Sequence, residues 1–160
     1  MSGRQFALAT VVEASRPSPR GIGSVLAVSE DGDSFIGSVS AGCVENEVIQ
    51  AAKACMDDGQ TRWLTFGPEN GFPWEIALSC GGRIRVRVER FVGSANSAID
   101  EALRNLLDDQ YSGLLLSADG GHCLFDETGT LLAEAGEVSE ELVQLGREHL
   151  KLGGATVEVD

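Results

Sequence analysis

The chain has 160 residues, enough for one domain or two small, closely packed ones. Its 25 acidic residues against 12 basic ones give a formal net charge of −13, so long-range electrostatics oppose nucleic acid and anionic membranes as partners. No apolar run is long enough to span a bilayer, and Met1-Ser-Gly-Arg-Gln-Phe6 leads straight into a strand-like run without the apolar core of a signal peptide, so a cytoplasmic protein is expected.

Phe6 to Val12 is a nearly continuous apolar run, the pattern of a strand buried on both faces. Ser15-Arg-Pro-Ser-Pro-Arg-Gly-Ile-Gly23 follows, where two prolines and two glycines forbid regular structure and fix a shaped loop. It carries Arg16 and Arg20, which read equally well as solvated turn residues or as anion-facing groups. Ser24 to Val28 reads as a strand, Glu30-Asp-Gly-Asp33 as a hairpin turn and Ser34 to Val39 as the return strand.

The chain then enters Gly37-Ser-Val-Ser-Ala-Gly-Cys-Val-Glu45, the turn that delivers this strand into a helix expected from Cys43 to Asp58. Val44, Val48, Ala51, Ala52, Cys55 and Met56 recur at helical spacing, Glu45 and Glu47 suit the helix dipole, and Gly59 ends the helix. At such a helix start, unpaired N–H groups and the positive dipole end gather. Both favour thiolate over thiol, so Cys43 is a candidate nucleophile or metal ligand. Gly37 and Gly42 keep side chains clear, so a ligand could reach the backbone there. Thr61 to Phe66 reads as a strand.

Gly67 to Trp74 is a loop in which Phe72 and Trp74 read as packing residues or as a lid, and Leu78-Ser-Cys-Gly-Gly82 sets a second cysteine beside glycines. Arg83-Ile-Arg-Val-Arg-Val-Glu-Arg90 alternates strictly, as a half-buried strand does, with Arg83, Arg85 and Arg87 on one face. Three like charges in a row require acidic neighbours or an anionic ligand. Gly93 to Ser97 reads as a linker and Ile99 to Leu107 as an amphipathic helix. Ser112 to Ser117, Gly121 to Phe125 and a segment with Leu131 and Leu132 read as strands. Val138 to Leu152 reads as a helix, and Ala155 to Val159 as a last strand.

The four cysteines, Cys43, Cys55, Cys80 and Cys123, form no C-x-x-C pair, and His122 and His149 complete no zinc pattern. Cys55 reads as a small buried hydrophobe on the apolar side of its helix. Gly21-Ile-Gly23 lacks the third glycine of a dinucleotide fingerprint. Gly37 to Gly42 has P-loop spacing but is followed by Cys43-Val44 rather than Lys-Ser/Thr, which argues against NTPase chemistry while leaving backbone N–H groups for a phosphate.

Gly136 and Gly153 stand at one common offset from Gly42 and Gly59, and Val44, Glu47, Val48 and Gln50 meet Val138, Glu141, Leu142 and Gln144 at that offset. The sequence therefore suggests an internal pseudo-repeat whose second copy is truncated and has Glu137 in place of Cys43. The expected organisation is α/β, mixed sheets with packed helices, in which residues 1–93 carry the glycine-cysteine turns and residues 94–160 form a degenerate copy or covering subdomain.

Ser18-Pro-Arg-Gly-Ile-Gly23, Gly37 to Glu45 and Leu78-Ser-Cys-Gly-Gly82 together resemble the N-terminal domain of the XdhC/CoxI family, over roughly residues 6 to 91. These are accessory proteins of xanthine dehydrogenase and related molybdenum hydroxylases. The resemblance implies a maturation chaperone rather than an enzyme. It would bind the molybdenum cofactor (molybdopterin) transiently, protect it during sulfuration and hand it to the apo-enzyme, with a cysteine desulfurase-type sulfur donor as second partner. Many members continue into a C-terminal Rossmann-like domain, for which this sequence holds no counterpart.

The cofactor-binding residues expected on this basis are Arg20, Gly37, Ser38, Ser40, Gly42, Cys43, Glu45, Cys80, Gly81, Gly82 and Arg85. Cys43 is the candidate molybdenum-facing thiolate, since soft metals favour sulfur donors, and Arg20 and Arg85 are the candidate phosphate holders. The alternative is a thiol redox or persulfide-handling protein using Cys43 and Cys80, which would have to approach within disulfide geometry. The target molybdoenzyme, the nucleotide form of the cofactor and a homodimeric state are left open.

Overall fold

The computed structural model describes residues 5–15, 17–67, 78, 81–92, 98–99, 101–102, 105, 113–118 and 121–151. The chain divides into two compact units, one holding the described residues up to 92 and the other those from 98 onward.

The first unit is a five-stranded antiparallel sheet with one helix on it. Its strands are β1 (Gln5–Ala14), β2 (Val25–Ser29), β3 (Phe35–Gly37), β4 (Arg62–Phe66) and β5 (Ile84–Val92), in the order β3-β2-β1-β5-β4, and the helix α1 (Glu45–Asp58) joins β3 to β4. The apolar run at the start of the chain is the central strand. Ala7, Ala9 and Val11 are fully buried on the α1 side, whereas Phe6, Leu8 and Thr10 on the other face are half-buried. The expected two-sided burial is thus complete on one face only.

Ile84, Val86 and Val88 of β5 continue that buried face, and α1 lays Val48, Ala52, Cys55 and Met56 over it. The helix runs away from its glycine turn toward the far end of β5, where the Cys55 Sγ lies 3.7 Å from the Val88 carbonyl and Arg90 donates to the Met56 carbonyl. Burial pushes the Cys55 thiol up from its ordinary pKa, which suits the hydrophobic role read from the sequence. Gly59 closes the helix in the left-handed region at φ 75°, donating to the Cys55 carbonyl at 2.8 Å.

The alternation holds in β5, and acidic neighbours, one of the two expected partners, meet Arg85 and Arg87. Arg85 and Arg87 point to the face opposite α1, flanking Trp63 of β4 with guanidinium carbons 4.5 and 5.9 Å from the indole centroid. Arg85 pairs with Glu13 at 3.0 Å and Arg87 with Glu89 at 2.8 Å. Acidic and aromatic neighbours therefore answer the like-charge repulsion.

The second unit has a three-stranded antiparallel sheet, β6 (Gly113–Ala118), β7 (Gly121–Asp126) and β8 (Leu131–Gly136), and the helix α2 (Glu140–Lys151). Cys123, Leu124 and Phe125 of the central strand are buried. Gly146 lets α2 approach, since a Cβ there would come within 2.5 Å of the Phe125 ring. Each unit runs hairpin, positive-φ glycine, helix, but one sheet has five strands and the other three, so the internal repeat stays a proposal. The expected last strand, Ala155 to Val159, lies outside the described residues.

Gly37 sits at φ 94°, and a Cβ there would stand 2.2 Å from the Val25 carbonyl oxygen, a backbone atom of the neighbouring strand. Gly37→Ala should therefore cost about 2–4 kcal/mol of unfolding free energy, from left-handed strain plus the backbone clash. Urea denaturation checks this, and a loss under about 0.5 kcal/mol would mean that the turn can relocate without penalty.

Candidate functional site

In an antiparallel sheet the chain reverses at each end, so loops separated in sequence collect at one edge. Here β1 and β3 end where β2 and β5 begin. The loop after β1 with Arg20, the turn after β3 with Cys43 and the segment before β5 with Leu78, Gly81 and Gly82 therefore share one end of the sheet. Two of them touch directly. The Ser15 N–H donates to the Arg83 carbonyl and the Arg83 N–H to the Ser15 hydroxyl, both at 2.8 Å. Gly82 is buried so close to this loop that a Cβ would meet the Pro17 carbonyl at 2.2 Å. Leu78 is in the core beneath, and its carbonyl accepts from the Gly81 N–H at 2.8 Å. Arg20 is exposed, and its carbonyl accepts from the Ser18 hydroxyl at 2.8 Å.

The Gly37–Glu45 turn is organised by an anion of its own. Helix α1 starts at Glu45 rather than Cys43, and its N-cap, Val44, contributes no side-chain cap. Instead the Glu45 carboxylate reaches back over the turn. Its Oε1 accepts from the Ser38 hydroxyl at 2.6 Å and the Ser40 N–H at 3.0 Å. Its Oε2 accepts from the Ser40 hydroxyl, from the Gly42 N–H at 2.8 Å and from the Val44 N–H at 3.3 Å. Both serines are relayed onward, Ser38 Oγ accepting from the Ala41 N–H at 2.8 Å and the fully buried Ser40 Oγ from the Val44 N–H at 2.9 Å. The Ser40, Gly42 and Val44 N–H groups of the turn are thus held by Glu45, and Ser38 and Ser40 are engaged in the same network.

Burial pushes the Glu45 carboxyl up, but the hydrogen bonds from Ser38, Ser40 and the backbone outweigh it and hold the group down at about 2. The sequence signal for this role was present: an acidic residue opening a helix, preceded by two serines and a glycine, is a variant of the backward-reaching capping glutamate.

Cys43 in the same turn is half-buried, packed against the core and not in a disulfide. Gly42 beside it is exposed at φ 107°, and Gly81 at the neighbouring segment is exposed at φ 73°. A Cβ on either would meet nothing within 4 Å. Arg85 is not brought to this group, because it projects from the opposite face of the sheet toward Glu13 and Trp63. Cys80, Arg16, Phe72 and Trp74 lie outside the described residues. Among the described residues no group of three or more His, Cys, Asp or Glu side chains is placed to hold a metal ion, and no helix is long and apolar enough to cross a membrane.

An α/β unit whose glycine-cysteine turn, arginine loop and double-glycine segment meet at one sheet end defines the class. Residues 1–67 match the XdhC and CoxI family. The chain is also 37% identical over 91 residues to the molybdenum cofactor insertion chaperone PaoD of Escherichia coli K12, a match that covers 56% of this chain and 28% of that protein. A solved structure titled as a xanthine dehydrogenase from Bacillus halodurans has the same fold, with a TM-score of 0.60 at 19% identity over 86% of this chain and 43% of that one. The chain therefore spans well under two thirds of either relative.

Because the folded Glu45 carboxyl sits at about 2 against an ordinary value of 4.5, its stabilisation is present above the ordinary value and lost as pH falls from about 5 through about 2. Glu45→Gln should cost about 2 kcal/mol near neutral pH, the scale of hydrogen bonds to a charged group discounted for partial exposure. The gap between wild type and variant should close as pH approaches 2, where wild-type Glu45 is itself becoming neutral. Denaturant midpoints across that range check the sign, and a gap that persists undiminished in acid would exclude an ionic role.

Proposed function

We propose that the chain is a maturation factor that binds the molybdenum cofactor and delivers it to a molybdenum hydroxylase. The observation that supports this most directly is the convergence, at one end of the first sheet, of the Arg20 loop, the Cys43 turn and the Gly81–Gly82 segment, in a chain similar to a molybdenum cofactor insertion chaperone.

The residues suit such a cargo. Cys43 is a soft sulfur donor at the rim of the turn, and the space beside Gly42 and Gly81 leaves room for a ligand larger than a water or ion. Arg20, exposed in the adjacent loop, supplies a cation for a phosphate. The cargo itself would bring a metal with sulfur ligands at one end and a phosphate at the other. In this reading Cys43 holds the metal end, Arg20 the phosphate end, and the glycines keep the surface between them clear. In the same reading Cys80 supplies a second sulfur. Sulfur exchange with a cysteine desulfurase-type donor, release to an apo molybdenum hydroxylase and residence in the cytoplasm belong to the same proposal.

The test is anaerobic incubation of the purified chain with molybdenum cofactor released from a molybdoenzyme, followed by co-elution and molybdenum analysis. Near-stoichiometric binding is expected for wild type. Cys43→Ser and Arg20→Ala should each weaken it by about tenfold or more, the scale of losing one charge-assisted or metal–ligand contact. Full retention in both variants would remove the site from this end of the sheet, and no binding by wild type would overturn the function.

A further inference from the structure

A phosphate-bearing ligand meeting a glycine turn at a helix start would ordinarily settle on the backbone N–H groups there. In this chain the seat is taken. The Ser40, Gly42 and Val44 N–H groups and the Ser38 and Ser40 hydroxyls all converge on the two oxygens of Glu45, which opens α1. The seat is also backed by the core: Ser40 and Val44 are fully buried, so the polar groups lining it have no alternative access to water from beneath. An incoming phosphate would have to displace a carboxylate that is covalently tethered in place, and would meet its negative charge at short range.

We propose that Glu45 is a specificity-determining residue: it fills the anion seat of the Gly37–Glu45 turn, so that this turn refuses the phosphate end of a ligand and presents only Cys43. This rests on the cofactor-binding reading for its meaning. It assigns Glu45, Ser38 and Ser40 to discrimination rather than to contact with the cargo. The consequence is orientational. A ligand with a metal–sulfur end and a phosphate end has two chemically different ways to lie across the three segments. With the seat open, the phosphate could lie on the amides and carry the metal away from Cys43. With the seat filled, the arrangement that remains places the phosphate toward the Arg20 loop.

The discriminating probe is inorganic phosphate titrated at constant ionic strength and near-neutral pH into the full ¹⁵N-labelled chain, read at the Ser40, Gly42 and Val44 amides. Wild type should show no saturable shift at these three positions. Glu45→Ala, which removes the acceptor of the Ser40 and Gly42 N–H groups and leaves the Val44 N–H on the Ser40 hydroxyl alone, should show saturable shifts there, with phosphate binding at least about tenfold tighter than in wild type. If Glu45→Ala loses its dispersed spectrum, Glu45→Gln carries the test: it keeps the side-chain length, removes the charge, and should gain the same response more weakly. Saturable phosphate shifts at the wild-type amides would overturn the proposal, as would silence in a folded Glu45→Ala or, in its place, Glu45→Gln. None of these readouts uses molybdenum cofactor, so a wild type that fails to bind cofactor would sink the maturation reading and leave this result standing, and the reverse holds equally.

Discussion

The first unit depends on one carboxylate folding back on the turn that precedes it. Between β3 and α1 the backbone passes through positive φ at Gly37, Ala41 and Gly42, and Ala41 at φ 60° is a non-glycine residue in the left-handed region. Such a path turns successive N–H groups toward one point, an arrangement that needs an anion at its centre. In a phosphate-binding loop that anion comes from the ligand. Here it comes from the first residue of the helix, close enough in sequence that ordering it costs little chain entropy.

Fixing the start of α1 fixes what it covers. The helix leaves the turn across the sheet and seals Ala7, Ala9, Val11, Ile84, Val86 and Val88 under Val48, Ala52, Cys55 and Met56. Because every pairing in this sheet is antiparallel, the same geometry returns the chain to the turn's end of the sheet after β1 and after β4. The grouping of three motif segments is thus a consequence of topology. Their close fit is a matter of glycine: Gly82 against Pro17 and Gly67 against the backbone of Arg83 are approaches that a side chain would block.

The local patterns were legible in the sequence, and the pairings were not. The β2–β3 hairpin, the body of α1, its glycine stop and the alternation in β5 each follow from a short-range period or a turn residue, and each is where that signal put it. What stayed hidden depends on which strands become neighbours. Arg85 and Arg87 of β5 could face a ligand or acidic partners as far as the alternation could tell. The answer lies in Glu13 of β1 and Trp63 of β4, one on each neighbouring strand, and for Arg87 also in Glu89 of its own strand. The network around Glu45 stayed hidden for a different reason. Its helix-opening position suits the dipole, while the Ser38 and Ser40 hydroxyls that also engage it reach it only once the turn is folded.

The charge of the chain shapes what such a site can do. A protein with a net charge of −13 does not draw an anionic ligand toward itself from a distance. At physiological ionic strength that repulsion fades beyond about 8 Å, so affinity has to be generated within contact range. Contact-range affinity calls for directional chemistry: a sulfur with a preferred metal, and an arginine whose guanidinium matches a phosphate edge. The outer face of the sheet keeps Arg85 and Arg87 occupied with Glu13 and Glu89, so they form no competing attractor there. An acidic surface, a turn whose amides are held by Glu45 and internally paired arginines act in one direction, and under the proposed function they leave recognition to a small number of groups at one end of the sheet.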